Sequence, residues 1–303
     1  MNKKLKILLL TPWVEYFLGA ETHFYTIAKK LIELGHSVDL YTYLKGPMWK
    51  TLGTSEINLL EEDPKNKYDI TIMNGNACIA KAPKSSFKIM ICNGVVPSQE
   101  YPVVGADKYI AISEEVSDRL KQMGVESTII RNGIDCDRYD SFNPINKKLK
   151  NVLILSNKQN PQGYIFQTIA EACRDRGIKL SVLGLQFGTS QWEVSDFINQ
   201  NDLVISLGRG ILESMACGRN ALVCDYQGLD GMIDDKNYLE IRKTNFSGRR
   251  YRLPITKENI IEEFKKYEIS QGIKNRTTIL LYHQARKTVK NILDLYNFQD
   301  LNI

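Results

Sequence analysis

The stretch DLVISLGRGILESMACGRNALV runs from Asp202 to Val223. It opens on an almost unbroken apolar run, turns through Gly208, Arg209 and Gly210, and returns to an apolar run that continues as NALVCDY. Apolar runs of this length read as strands covered on both faces, and ILESMACG between them reads as a short helix. Strand, helix and strand in that order form the repeating unit of a parallel α/β sheet. Glu213 falls one turn into the helix, and the local sequence offers it no evident charge partner. A carboxylate so placed is expected to hold a ligand.

The alternation extends in both directions. KILLLT is followed by GAETHFYTIAKKLIELG, whose Phe24, Ile27, Ala28, Leu31 and Ile32 form one helical face ended by Gly35, and HSVDLYTY resumes as a strand. YDITIMN, FKIMICN and KYIAIS continue the series, and EEVSDRLKQMG makes a helix before STIIRNGID. Ser113 ahead of Glu114 and Glu115 is a helix start with negative charge in the first turn. The stretch YDSFNPINKKLK, Tyr139 to Lys150, is polar, contains Pro144 and has no periodicity, so it is expected to be an inter-domain linker. A second series then begins with NVLILS, YIFQTIAEACRDRG, KLSVLGL and WEVSDFINQ, and helices fill the chain from about Thr256. The expected architecture is α/β: two doubly wound domains, residues 1–140 and 151–303, whose parallel sheets face each other across a cleft.

Composition agrees. At 303 residues, 43% hydrophobic and 25% charged, the chain is an ordinary globular one long enough for two domains. A net charge of +5 permits an acidic partner without requiring one. The six cysteines form no C-x-x-C and no metal-like grouping with the three histidines, which reads as buried thiols in a reducing cytoplasm. MNKKLKILLLTPW is too short for a signal peptide and meets Pro12 and Trp13 without a small-residue cleavage site. No stretch approaches the roughly 20 apolar residues that cross a bilayer. The expected location is the cytoplasm, with peripheral attachment to membrane phosphates at the inner face open through the basic patches.

In open parallel sheets ligands collect beyond the carboxyl ends of the strands. Four stretches lie there. WVEYFLGAET offers Gly19 and the helix N-terminus behind it. Gly208 and Gly210 keep side chains away from a phosphate, Arg209 adds charge, and Glu213 suits a vicinal diol. LSNKQNPQG has Lys158 as its cation, and NGID, Asn132 to Asp135, reads equally as a turn. His23 lies close enough to Gly19 to be a weak candidate, whereas His36 and His283 read as structural or solvated. No catalytic triad order or metal-ligand spacing is visible.

Together these stretches resemble the GT-B retaining glycosyltransferases of family 4. LGAETHFYTIAKKLIELGHSVDLYT is similar to that family's N-terminal Gly-Gly-Ala-Glu loop and helix. YIAISEEVSDRLKQMGVESTIIRNGID resembles the segment that ends its first domain, and DLVISLGRGILESMACGRNALV resembles its donor-binding strand and helix. The resemblance, which reaches to about Gly231, implies transfer of a sugar from a nucleoside diphosphate sugar, a UDP-sugar first, with retention and no obligatory metal. It implies that Glu213 holds the ribose, that Gly208, Arg209 and Gly210 lie near the diphosphate, and that Gly19 faces the same phosphates.

The departures are specific. The family's first Glu falls at Ile205. Its diphosphate-clamping Arg and Lys fall near Asn157 and Gln162, with Lys158 and Arg209 as proposed substitutes. Inner-loop histidines of the first domain are replaced by Asn74 or Asn76 and by Asn93, which are the candidates for positioning the acceptor hydroxyl. The acceptor expected first is a glycan or lipid-linked glycan. A hydroxylated base in phage DNA is the alternative, supported by KAPKSSFK and by Arg249, Arg250 and Arg252; a non-catalytic nucleotide- or partner-binding module is the third. The sequence leaves the oligomeric state open.

Overall fold

The computed structural model describes residues 4–53, 55–96 and 98–297. The chain divides into two compact units, Met1–Gly133 with Ala285–Ile303, and Ile134–Gln284.

The first unit contains β1 (Lys6–Val14), α1 (Gly19–Glu33), β2 (Ser37–Lys45), α2 (Pro47–Leu52), β3 (Asn58–Leu59), β4 (Ile70–Asn74), β5 (Phe87–Cys92), β6 (Lys108–Ala111), α3 (Glu114–Gln122) and β7 (Thr128–Ile129). Its sheet has the order β3-β2-β1-β4-β5-β6-β7 with every pair parallel. Ile7 to Leu10 and Ile70 to Met73 are almost wholly buried, as a sheet covered on both faces requires. Ser113 caps α3, its hydroxyl accepting the Val116 N–H.

The second unit contains β8 (Asn151–Leu155), α4 (Tyr164–Asp175), β9 (Lys179–Leu183), α5 (Ser195–Asn199), β10 (Leu203–Ser206), α6 (Arg209–Ala216), β11 (Asn220–Asp225), β12 (Gly228–Met232), α7 (Tyr238–Arg242), α8 (Lys257–Phe264) and α9 (Ile269–Tyr282). The sheet order is β12-β11-β10-β8-β9, parallel except for β12, which runs antiparallel to β11. Two apolar cores lie on the two faces of this sheet, one of them built around α6.

Two expectations change. The segment 139–150 is not a linker but part of the second unit. Tyr139 is 1% exposed in its core. Asp202 accepts the N–H groups of Asn146, Lys150 and Asn151 at 2.9, 3.0 and 2.9 Å, and the Tyr267 hydroxyl donates to the Asn146 carbonyl at 2.6 Å. The stretch is polar because its backbone is satisfied by side chains instead of a ladder. The chain passes between units at Gly133–Ile134 and at Gln284–Ala285, so α10 (Ala285–Asn297) belongs to the first unit. There the Thr288 hydroxyl donates to the Arg131 carbonyl at 3.2 Å, and Gly133 comes so close that a Cβ would stand 2.6 Å from the Ala285 Cα.

Candidate functional site

In the second unit the strand order reverses at β8 and β10, the kind of switch point at whose carboxyl ends open α/β sheets hold ligands. Ser156 to Gln159 follow β8, and Gly208 to Glu213 follow β10. Gly208 adopts φ +58° and ψ −125°, a conformation for glycine alone, and a Cβ there would meet nothing nearer than the Asn245 carbonyl oxygen at 3.9 Å. Its N–H donates to the Phe246 carbonyl at 2.8 Å. The turn is therefore locked and open. Gly210 serves another purpose: a Cβ would fall 2.3 Å from Ser206 Oγ, so this glycine lets α6 sit down on the sheet.

Glu213 is 6% exposed, and its Oε1 lies 2.9 Å from Arg209 Nε. Contrary to the sequence reading, it has a charge partner, supplied at i,i+4 spacing by its own helix. Arg209 is correspondingly turned inward, 7% exposed, and is not displayed as an open phosphate clamp. Burial, and then the nearby Glu213 charge, push the Tyr139 phenol well above its ordinary pKa.

At the end of β8, Lys158 is exposed. Ser156 Oγ donates to Asp225 Oδ2 at 2.7 Å, and burial raises the Asp225 carboxyl despite that bond. Asn157 Oδ1 accepts the Leu185 N–H at 2.9 Å, which fixes the loop after β9 in place of a guanidinium. Ile205 lies inside β10 and is fully buried. The basic cluster is engaged: Arg249 bonds Gln227, Arg250 bonds Glu240, and the Asp230 carboxylate accepts the backbone N–H groups of Arg250, Tyr251 and Arg252 at 3.1, 2.7 and 3.2 Å.

In the first unit the order reverses at β1 and β4. At their carboxyl ends Pro12, Trp13, Ala20, Asn74, Gly75 and Asn93, with Gln99 and Glu100, line a small pocket of about 20 Å³. Asn74 is 4% exposed, and its Oδ1 accepts no hydrogen bond from the protein. Asn74 and Asn93 are thus brought together, but Asn76 is not: its Nδ2 donates to the Ser98 carbonyl at 2.9 Å and holds a loop. Gly19 is the exposed first residue of α1, with its carbonyl accepting the Thr22 hydroxyl at 3.1 Å. His23 is buried on α1, His36 accepts the Leu5 N–H, and His283 pairs with the Tyr238 hydroxyl at 2.9 Å.

Sequence reasoning missed two residues. Glu21, in the first turn of α1, is 2% exposed, neither carboxyl oxygen has a hydrogen-bond partner, and burial lifts its pKa to about 8. Its signal was present in GAET, two residues beyond Gly19. Tyr139 was hidden by its assignment to a linker. Among the described residues no group of three or more His, Cys, Asp or Glu is placed to hold a metal, and no helix is long and apolar enough to cross a membrane.

No protein-family model and no curated protein matches the chain by sequence. Solved structures do match by shape. Anabaena Alr3699/HepE, in complex with UDP and glucose, is 12% identical over 97% of this chain and 99% of its own, with a TM-score of 0.70. A glycosyltransferase from Rickettsia africae ESF-5 is 15% identical over the whole of both chains, with a TM-score of 0.66. An alpha-glucosyltransferase in complex with UDP and a 13-mer DNA containing a HMU base is 13% identical over 97% of this chain and all of its own, with a TM-score of 0.60. The chain has the GT-B glycosyltransferase fold, with two Rossmann-like units.

Proposed function

We propose that this protein transfers a sugar from a nucleoside diphosphate sugar, a UDP-sugar first, to an acceptor hydroxyl with retention at the anomeric carbon. The second unit takes the donor and the first takes the acceptor. The observation that carries this reading is Glu213, held behind the open Gly208 turn at the switch point of the second sheet. Its carboxylate suits a ribose diol. The N-terminus of α6 and the exposed Lys158 supply positive potential for the departing diphosphate, so the leaving group is stabilised electrostatically without an obligatory metal. Arg209 supports Glu213 and does not touch phosphate, and Gly210 serves packing.

Asn74 and Asn93 position the acceptor hydroxyl, with the unfilled Asn74 Oδ1 as its hydrogen-bond acceptor. Gly19 leaves the N-terminus of α1 open to a phosphate. A glycan or lipid-linked glycan at the inner membrane face is preferred to a DNA base as acceptor, because Arg249 and Arg250 already have side-chain partners within the unit.

The test is a thermal-shift panel of UDP, GDP, ADP and CDP on wild type and Glu213→Gln. Stabilisation by one nucleotide, lost in the variant, supports the donor site. Ligand bound only to the folded state adds about 2.7 kcal/mol at a hundredfold excess over its dissociation constant, so micromolar binding registers. No shift with any of the four would sink the reading.

A further inference from the structure

We infer that the pocket beside Asn74 seats one oxygen of the acceptor and that this oxygen is a primary hydroxyl, the exocyclic hydroxymethyl group of a sugar. The inference rests on the acceptor-site reading above and adds to it the class of hydroxyl that is glycosylated.

The pocket measures about 20 Å³, and a single water needs about 10–15 Å³. It therefore takes one oxygen and excludes a sugar ring. Backbone contacts fix its walls. Gly75 adopts φ +87°, and a Cβ there would stand 2.6 Å from Pro12 Cγ and 3.6 Å from the Gln99 carbonyl oxygen. The Cys78 N–H donates to the Gly75 carbonyl at 3.2 Å, and Asn76 Nδ2 ties the same loop to the Ser98 carbonyl at 2.9 Å. The loop after β4 is thus held against both flanks and does not open to admit more. Asn74 lines the pocket, is 4% exposed, and carries an Oδ1 that accepts nothing from the protein. An oxygen that bears a hydrogen satisfies that acceptor, whereas an ether or carbonyl oxygen does not.

A nucleophile seated in so small a pocket is reached only through its mouth. Two carbons must share that mouth: the one the oxygen already carries and the anomeric carbon it attacks. A secondary ring hydroxyl brings two further ring carbons to the same place, against Pro12 and Trp13. A hydroxymethyl group puts a CH₂ there and keeps its ring at a distance. In the transfer the hydroxymethyl oxygen bonds the anomeric carbon, and the bond from that carbon to the diphosphate oxygen breaks. Asn74 holds the hydroxyl hydrogen beforehand, and the departing diphosphate takes it as the proton.

The experiment supplies a mixture of UDP-glucose, UDP-galactose and UDP-N-acetylglucosamine, or the sugars of whichever nucleotide the panel selects, to wild type and Asn74→Ala. The acceptors are octyl β-glucoside, its 6-deoxy analogue, octyl β-xyloside and an oligonucleotide with a hydroxymethylated base. Nucleotide release gives the rate, and NMR of the product gives the oxygen that carries the new sugar. Wild type is expected to glycosylate the glucoside at its hydroxymethyl oxygen. Both analogues keep the ring hydroxyls and are expected to fall by about a hundredfold or more, because each lacks the oxygen the pocket takes. The wild-type comparison stands whether or not the variant folds. A new bond at a ring oxygen, or analogues used within about threefold of the glucoside, overturns the inference. So does transfer to the oligonucleotide alone, or nucleotide binding with no transfer to any of the four. Asn74→Ala separates the two levels: it is expected to lower transfer about tenfold, and transfer at the wild-type rate overturns the acceptor-site reading itself.

Discussion

Arg209 Nε lies 2.9 Å from Glu213 Oε1, one helical turn apart, with both side chains less than a tenth exposed. A pair this buried contributes through the cost of breaking it more than through its own attraction. Arg209→Met leaves an unpaired buried carboxylate and is expected to lower unfolding free energy by about 3–5 kcal/mol in urea titration. The double change Arg209→Met with Glu213→Leu is expected to recover most of that loss. A single-variant loss below about 1 kcal/mol would place the pair in solvent-like surroundings.

Glu21 predicts the pH dependence of stability. Its carboxyl has no hydrogen-bond partner and its pKa is raised to about 8 from an ordinary 4.5, chiefly by desolvation. Below about pH 4.5 it is neutral folded or unfolded and burial carries no ionic cost. Between that value and about 8 the unfolded chain ionises while the folded chain keeps the proton, so stability falls as pH rises. Above about 8 the full cost is in place. Glu21→Gln is therefore expected to match or trail wild type at pH 5 and to exceed it at pH 9, the gap growing by about 1.4 kcal/mol per pH unit within the window. A pH-independent gap in urea midpoints would show that the carboxylate is partnered.

The alternation of apolar runs made both sheets legible, because a strand buried on both faces has little choice but to be apolar throughout. The switch-point position of Glu213 was legible for the same reason: it follows β10 directly. Three features were not. The Arg209–Glu213 pair was overlooked although its i,i+4 spacing is a local signal. The segment from Tyr139 to Lys150 reads as a linker because polar residues that satisfy a buried backbone, such as Asn146 against Asp202, have the same composition as polar residues facing water. Helix α10 carries an amphipathic pattern that states which face is buried, not which sheet it covers, so its return to the first unit leaves no trace in the sequence.

Gly210 separates packing from ligand approach. A methyl group there would fall 2.3 Å from Ser206 Oγ and 3.3 Å from Leu155 Cδ2, and Ser206 Oγ is held by its bond to the Leu155 carbonyl at 2.6 Å. Gly210→Ala is expected to cost about 1–3 kcal/mol of stability, as overpacking does. Combining it with Ser206→Ala removes the nearest atom and should return part of the loss. Full additivity of the two changes in a double-mutant cycle would show that α6 shifts away from the sheet instead.

Asn74 and Asn76 stand two residues apart and were equivalent in the sequence; the structure separates them. Asn74 lines the cavity at the first switch point with an Oδ1 that accepts nothing from the protein, whereas Asn76 spends its amide on the Ser98 carbonyl. A buried acceptor without a donor costs about 1–3 kcal/mol, which a hydroxyl bound beside it would recover. On the proposed function, Asn74→Ala should lower the transfer rate about tenfold or more and leave nucleotide affinity unchanged. Asn76→Ala should change transfer less than threefold. Initial rates measured at saturating donor, with nucleotide dissociation constants determined in parallel, decide between them. Equal losses of transfer in both variants would mean that the loop after β4 acts as a unit, and an unchanged rate in Asn74→Ala would remove this cavity from the acceptor site.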